Sequence, residues 1–169
     1  KSRELFGYKQ GADELINLRE VFLHATKVHV FRLAAANAVH ASNDIAKAKY
    51  PGPRGNDLKL VISASVDVPG SFNVYTYLDN TQVDMQTAAG AANLKDNAYV
   101  SFKSTATLSV TAGMPLTGGT NGGAITGEMY QKALEAFESF SFNVLCCPST
   151  DSTVTKLFIA YTKRLRDEV

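Results

Sequence analysis

Helical periodicity governs both ends of this chain and is missing from its long middle, roughly residues 34 to 124. That middle is rich in Thr, Ser, Ala and Gly, and its apolar residues alternate rather than recur every three or four positions. Leu58, Leu60, Ile62 and Ala64 alternate with Lys59, Val61, Ser63 and Ser65, and Phe72, Val74, Thr76 and Leu78 alternate with Asn73, Tyr75 and Tyr77. A period of two places one set on a buried face and the other toward solvent, so both runs are expected as half-buried strands. Turn chemistry separates the runs at residues 51–57, 68–71 and 118–123, where Pro, Gly, Asn and Asp cluster. Further strands are expected near 83–87, 98–102 and 107–111. Together they would complete an all-β sandwich or small barrel.

The flanks read differently. Leu15, Leu18, Val21 and Phe22 share one helical face, with Asp13 and Glu14 at the end where the helix dipole favours acids. Residues 27–33, with Val28, Val30, Phe31 and Leu33, then read as a buried strand. After the middle, Thr126 caps a helix whose face holds Tyr130, Ala133, Leu134, Phe137 and Phe140. Residues 142–147 read as a second apolar strand halted by Pro148. Ser149 to Ser152 supply cap residues for a last helix, whose core face is Val154, Leu157, Phe158, Tyr161 and Leu165. Helix, strand, helix, strand, helix is the alternation of an α/β parallel sheet, so residues 34–124 are expected as a β-rich insertion within a domain made of residues 1–33 and 125–169. The Gly-rich run 118–123 is expected to serve as a flexible hinge between the two bodies. Because the chain opens on Lys1 and stops at Val169 within a helical pattern, it is expected to be part of something longer.

At 45% hydrophobic and 20% charged residues over 169 positions, the chain has the material for a packed core. Lys plus Arg number 17 against 16 for Asp plus Glu, so no broad field favours nucleic acid or an anionic membrane. No apolar run reaches the roughly 18 residues of a spanning helix, so no membrane insertion is expected.

Few residues of this chain could carry chemistry. His24, His29 and His40 are the three histidines, and none lies in a catalytic motif; no Gly-x-Ser-x-Gly elbow occurs. Cys146 and Cys147 sit at the carboxyl end of an expected strand, where α/β sheets bind ligands, but neighbouring cysteines make a strained disulfide and no second pair offers a zinc site. They read as free thiols, and as small apolar fillers. The run 118–123 lacks the Gly-Lys-Ser/Thr ending of a phosphate loop and the Gly-x-Gly-x-x-Gly spacing of a dinucleotide site. Tyr50, Tyr75, Tyr77 and Tyr99 could stack on bases, but no basic stripe accompanies them, and β-sheet packing accounts for them. No catalytic, cofactor-binding or metal-binding residue is assigned, no cofactor is expected, and the chain is read as not an enzyme.

Three pieces in order, Tyr50-Pro-Gly-Pro-Arg-Gly-Asn-Asp-Leu58, Leu116-Thr-Gly-Gly-Thr-Asn-Gly122 and Phe142-Asn-Val-Leu-Cys-Cys-Pro148, resemble the tail sheath proteins of contractile bacteriophages and of phage-tail-like bacteriocins. The resemblance spans nearly the whole chain. It implies a subtilisin-like α/β domain without protease activity, carrying a β-rich insertion that faces outward. It also implies a structural role: subunits polymerise as stacked hexameric rings around a tail tube, above a baseplate, and contract to drive the tube through the host envelope. The implied partners are other sheath subunits, the tube protein and the baseplate, and the implied location is the virion, after synthesis in the bacterial cytoplasm. Rigid-body rearrangement between subunits would release energy stored in the extended packing, without nucleotide hydrolysis. Two other readings remain open on the residues: a fragment of an α/β hydrolase whose catalytic residues lie outside this chain, and a β module that binds host-surface glycans through its exposed aromatics.

Overall fold

The computed structural model describes residues 2–167; Lys1, Glu168 and Val169, which the expected flanking domain includes, lie outside the described residues. The chain divides into two compact units, a β unit made of residues up to Gly7 with Ala36–Gly123, and a helical unit made of Tyr8–Ala35 with the residues from Ala124 onward.

In the β unit a short helix α1 (Ser2–Phe6) is followed, from residue 36 on, by strands β1 (Ala46–Ala48), β2 (Leu58–Ala64), β3 (Phe72–Leu78), β4 (Thr81–Ala88), β5 (Val100–Phe102) and β6 (Thr111–Pro115). They form two antiparallel sheets, one ordered β4-β3-β2-β6 and one pairing β1 with β5. The alternation read in β2 and β3 is observed over most of both strands: Leu58, Leu60, Ile62, Val74, Thr76 and Leu78 are buried and the residues between them half-buried, whereas Ala64 at the end of β2 is exposed and Phe72 opposite it is half-buried. Register explains why. Leu60 faces Thr76 and Ile62 faces Val74, so both strands turn the same set inward. Ala46, Ala48 and Val100 from the second sheet join Ile45, Ala91, Leu108 and Leu116 in the same core cluster. Each fully buried aliphatic side chain there contributes about 2 kcal/mol of burial free energy, before entropy is charged.

The turn between β3 and β4 has two residues, Asp79 and Asn80, and Asp79 takes a left-handed φ of 56°. Tight hairpins need that conformation and short polar side chains tolerate it, so Asp-Asn between two alternating runs is a hairpin signal. Some expected strands shift. The run at 83–87 extends to Thr81–Ala88, that at 98–102 shortens to Val100–Phe102, and the strand expected at 107–111 forms instead at Thr111–Pro115. Burial sets that last position: Leu108 enters the core from an irregular stretch, whereas residues from Thr111 on find the free edge of β2.

The helical unit contains α2 (Ile16–His24), α3 (Gly127–Phe137) and α4 (Ser152–Asp167). On α4 the expected face is the observed one, with Tyr161 buried and Val154, Leu157, Phe158 and Leu165 half-buried. The cap is Asp151, within the expected stretch: its carboxylate accepts hydrogen bonds from the backbone N–H of Thr153 (2.7 Å) and of Val154 (3.1 Å). Thr126 stands at the N-cap of α3 without a side-chain capping bond. That helix ends at Phe137, so Phe140 leaves its face and instead stacks on His29, with ring centroids 4.1 Å apart. Leu15, Leu18 and Val21 turn inward as expected, but Phe22 is half exposed.

The expected parallel sheet is corrected. Among the described residues both sheets are antiparallel and lie in the β unit, and neither 27–33 nor 142–147 forms a strand. Both stretches carry β-prone side chains but have no neighbouring strand with which to exchange backbone hydrogen bonds, and propensity without a ladder partner does not make a sheet.

Candidate functional site

The residues singled out for chemistry are dispersed. His40 belongs to the β unit, where its Nδ1 lies 2.7 Å from the carbonyl of Ala48 and ties the start of that unit to β1. His24 and His29 belong to the helical unit: His24 is exposed at the last position of α2, and His29 is half-buried against Phe140, its Nε2 without a hydrogen-bond partner among the described residues. Cys146 and Cys147 are free thiols, the first exposed and the second half-buried. Among the described residues no cluster of His, Cys, Asp and Glu could hold a metal ion, and no helix is long and apolar enough to cross a membrane.

Cys147 lines a shallow groove of about 350 Å³ between the 142–147 stretch and α4, with Leu145, Phe158 and Ile159 as its apolar wall and Lys163 and Arg166 as cations. Burial pushes the Tyr161 hydroxyl pKa up on the same helix, with the nearby Glu138 carboxylate adding to the shift and Arg164 opposing it. Glu138 pairs with Arg164, which fastens the end of α3 to α4. These are helix-packing contacts.

The tyrosines separate by role. Tyr75 and Tyr77 stand on the outer face of the four-stranded sheet beside Val61 and Met85, with the Lys59 ammonium 5.5 Å from the Tyr77 ring centroid. Tyr50 is 54% exposed, and burial pushes the Tyr99 hydroxyl pKa up, helped by Glu4. Of the four, Tyr75 and Tyr77 share a strand, β3.

Among the described residues, charged hydrogen bonds converge on Arg54, which no sequence motif for chemistry marks. The Arg54 guanidinium donates to both carboxylate oxygens of Asp79 and to Asp57, each at 2.8 Å, and its Nε donates to the Gly7 carbonyl at 2.8 Å. The Asp79 hydrogen bonds raise the Arg54 pKa above its ordinary value, partial burial opposes the rise, and Asp57 adds to it. This fork joins the turn before β2, the β3–β4 hairpin and the segment after α1 at one point. Arg54 and Asp57 both lie in the motif piece Tyr50–Leu58, but nothing local identifies Asp79 as the second acid. Asparagines do similar work. Asn97 Oδ1 accepts from the N–H of Tyr99 and Val100, while its Nδ2 donates to Asp84 and, at 3.3 Å, to the fully buried Thr76 hydroxyl. Asn43 caps the residues before β1 and reaches the carbonyls of Met114 and Pro115.

Every polar cluster so found holds backbone in place, and large apolar side chains remain at the surface, notably Phe22, Leu23, Val30, Phe31, Val144 and Ile159 of the helical unit. Such a chain is built to be packed against. Comparison with known proteins gives that character a family. The profile of the phage tail sheath protein beta-sandwich domain matches residues 34–121, more than half of the chain. The chain belongs to the phage tail sheath family. The crystal structure of a sheath tail protein from Desulfitobacterium hafniense superposes with a TM-score of 0.88 at 35% identity, covering 99% of this chain and 41% of that one. A second, the sheath tail protein of Listeria innocua, gives 0.82 at 30% identity, over 99% and 39%. Among curated proteins, the phage-like element PBSX protein XkdK of Bacillus subtilis is 36% identical over 90% of this chain and 37% of its own length. This sheath-family chain thus spans about two fifths of the length of the relatives it matches. The resemblance read from the three sequence pieces is the family found, and membership carries a structural tail sheath role.

Proposed function

We propose that this chain is part of the structural subunit of a contractile tail sheath, which polymerises as stacked hexameric rings around a tail tube and contracts to drive the tube through the host envelope. The observation that carries the proposal is the likeness to solved sheath tail proteins over 99% of the chain. Its partners in this reading are further sheath subunits, the tube protein and the baseplate, and its place is the virion of a phage or a phage-tail-like bacteriocin. Residues 34–124 are the inserted β domain. Residues 1–33 and 125–169 contribute to a subtilisin-like α/β domain without enzymatic activity, in which the stretches 27–33 and 142–147 pair with strands from the further length that the relatives possess. The exposed apolar residues of the helical unit support this, because they are the surface that such additional packing removes from water.

Contraction in this reading is mechanical. Stored packing energy between subunits is released by rigid-body movement, so the subunit itself needs a stiff fold rather than a catalytic site. Negative-stain electron microscopy of the full-length protein, expressed alone and then with its tube protein, tests it. Tubes or stacked rings with six-fold end views are expected. Dispersed particles under both conditions overturn the assembly reading.

A further inference from the structure

The Gly-rich run 118–123 has the composition of a flexible connector, but its atoms are tied down. We infer that Gly118–Gly123 is a clamp and not a flexible connector: it is bridged to the chain from Asn37 to Ser42, and the two segments form one pinned pair on the β unit.

The ties are specific and run almost the length of the segment. Thr117 and Ser42 exchange backbone hydrogen bonds at 3.1 and 2.8 Å, and Thr120 and Val39 do the same at 3.0 and 2.9 Å. Between them the Asn56 side chain imitates a strand neighbour, donating from Nδ2 to the Gly119 carbonyl at 2.9 Å and accepting from the Gly119 N–H at 2.8 Å. Asn37 closes the end, its Oδ1 accepting from the Gly123 N–H at 2.8 Å. Asn37, one residue inside the point at which the chain re-enters the β unit, is therefore bonded directly to Gly123, the residue at which it leaves.

The glycines serve close approach here, not freedom. A Cβ on Gly119 would stand 2.4 Å from the Gly52 carbonyl oxygen, and one on Gly122 would stand 2.4 Å from Asn37 Oδ1, at a φ of +72° that side chains disfavour. The third crossing, after Gly7, is likewise pinned on the β side, by Arg54.

Amide-resolved hydrogen exchange on the chain tests the clamp. The N–H groups of Gly119, Thr120 and Gly123 are expected to exchange at least about tenfold more slowly than those of Ala124 and Ile125. Equal rates across 119–125 overturn the inference. Asn37→Ala is expected to speed Gly123 exchange by up to about tenfold while leaving Leu60 and Ile62 unchanged, the worth of one net hydrogen bond. Asn37→Asp, which keeps the acceptor, is expected to leave Gly123 slow. An unchanged Gly123 rate in Asn37→Ala also overturns the inference, and if that variant loosens the whole β unit, the wild-type comparison decides alone.

Discussion

Arg54 shows how much one side chain can organise when its geometry is a fork. A planar guanidinium can grip both oxygens of Asp79 while its Nε reaches the Gly7 carbonyl, a combination that a lysine ammonium cannot make. Both acids are nearly half exposed, so solvent screens the ion pairs and most of the value lies in geometry. Arg54→Ala is expected to lower stability by about 1–2 kcal/mol in chemical denaturation, and Arg54→Lys to recover less than half of it. The loss should shrink in 1 M salt to the part owed to the Gly7 carbonyl. A loss of similar size with Lys as with Ala, insensitive to salt, would assign the effect to packing of the side-chain stem instead.

At the scale of elements, α4 depends on its cap. Hydrogen bonds from the backbone N–H of Val154 and then Thr153 hold the Asp151 pKa below its ordinary value of 3.8. A depressed carboxylate pKa stabilises the folded form fully above the unfolded value, and that contribution is lost as pH falls through the lower folded value. The α4 helix is therefore expected to lose exchange protection in its first turn as pH drops below about 4. Asp151→Ala should remove that acid-limb dependence and weaken the first turn at neutral pH, whereas Asp151→Asn should keep the cap and lose only the pH dependence. Amide exchange of Thr153 and Val154 against pH reads both. The periodicity that located α4 and strands β2 and β3 worked because each presents one face to a core built by near neighbours in sequence. It failed at 27–33 and 142–147, where β-prone composition was legible but the partner strand is not among the described residues.

For the molecule as a whole, the two units keep separate cores. The main hydrophobic cluster draws every member from the β unit, while Ala133, Leu134 and Tyr161 are buried within the helical unit. Leu60 is fully buried within that cluster. Leu60→Ala is expected to cost the β unit about 2–5 kcal/mol, from lost transfer free energy plus the cavity left behind. Exchange protection should fall across β2 to β6 and persist in α3 and α4. Equal loss in both units would mean that they unfold as one.

By itself the sequence determined what short-range physics controls: the helices at residues 16–24, 127–137 and 152–167, the two central strands with their buried faces and, through three motif pieces in order, the sheath family. It also held the hairpin signal at Asp79 and Asn80, which alternation on either side makes readable. Only the tertiary structure decided the roles of residues whose partners lie far along the chain. Arg54 meets Asp79 across 25 positions and Asn56 meets Gly119 across 63, so nothing local in either segment announces the pair. The same distance reverses the meaning of the glycines at 118–123. Locally their missing side chains signal freedom, but in the fold they let two backbones approach more closely than any Cβ permits, and the run becomes a clamp.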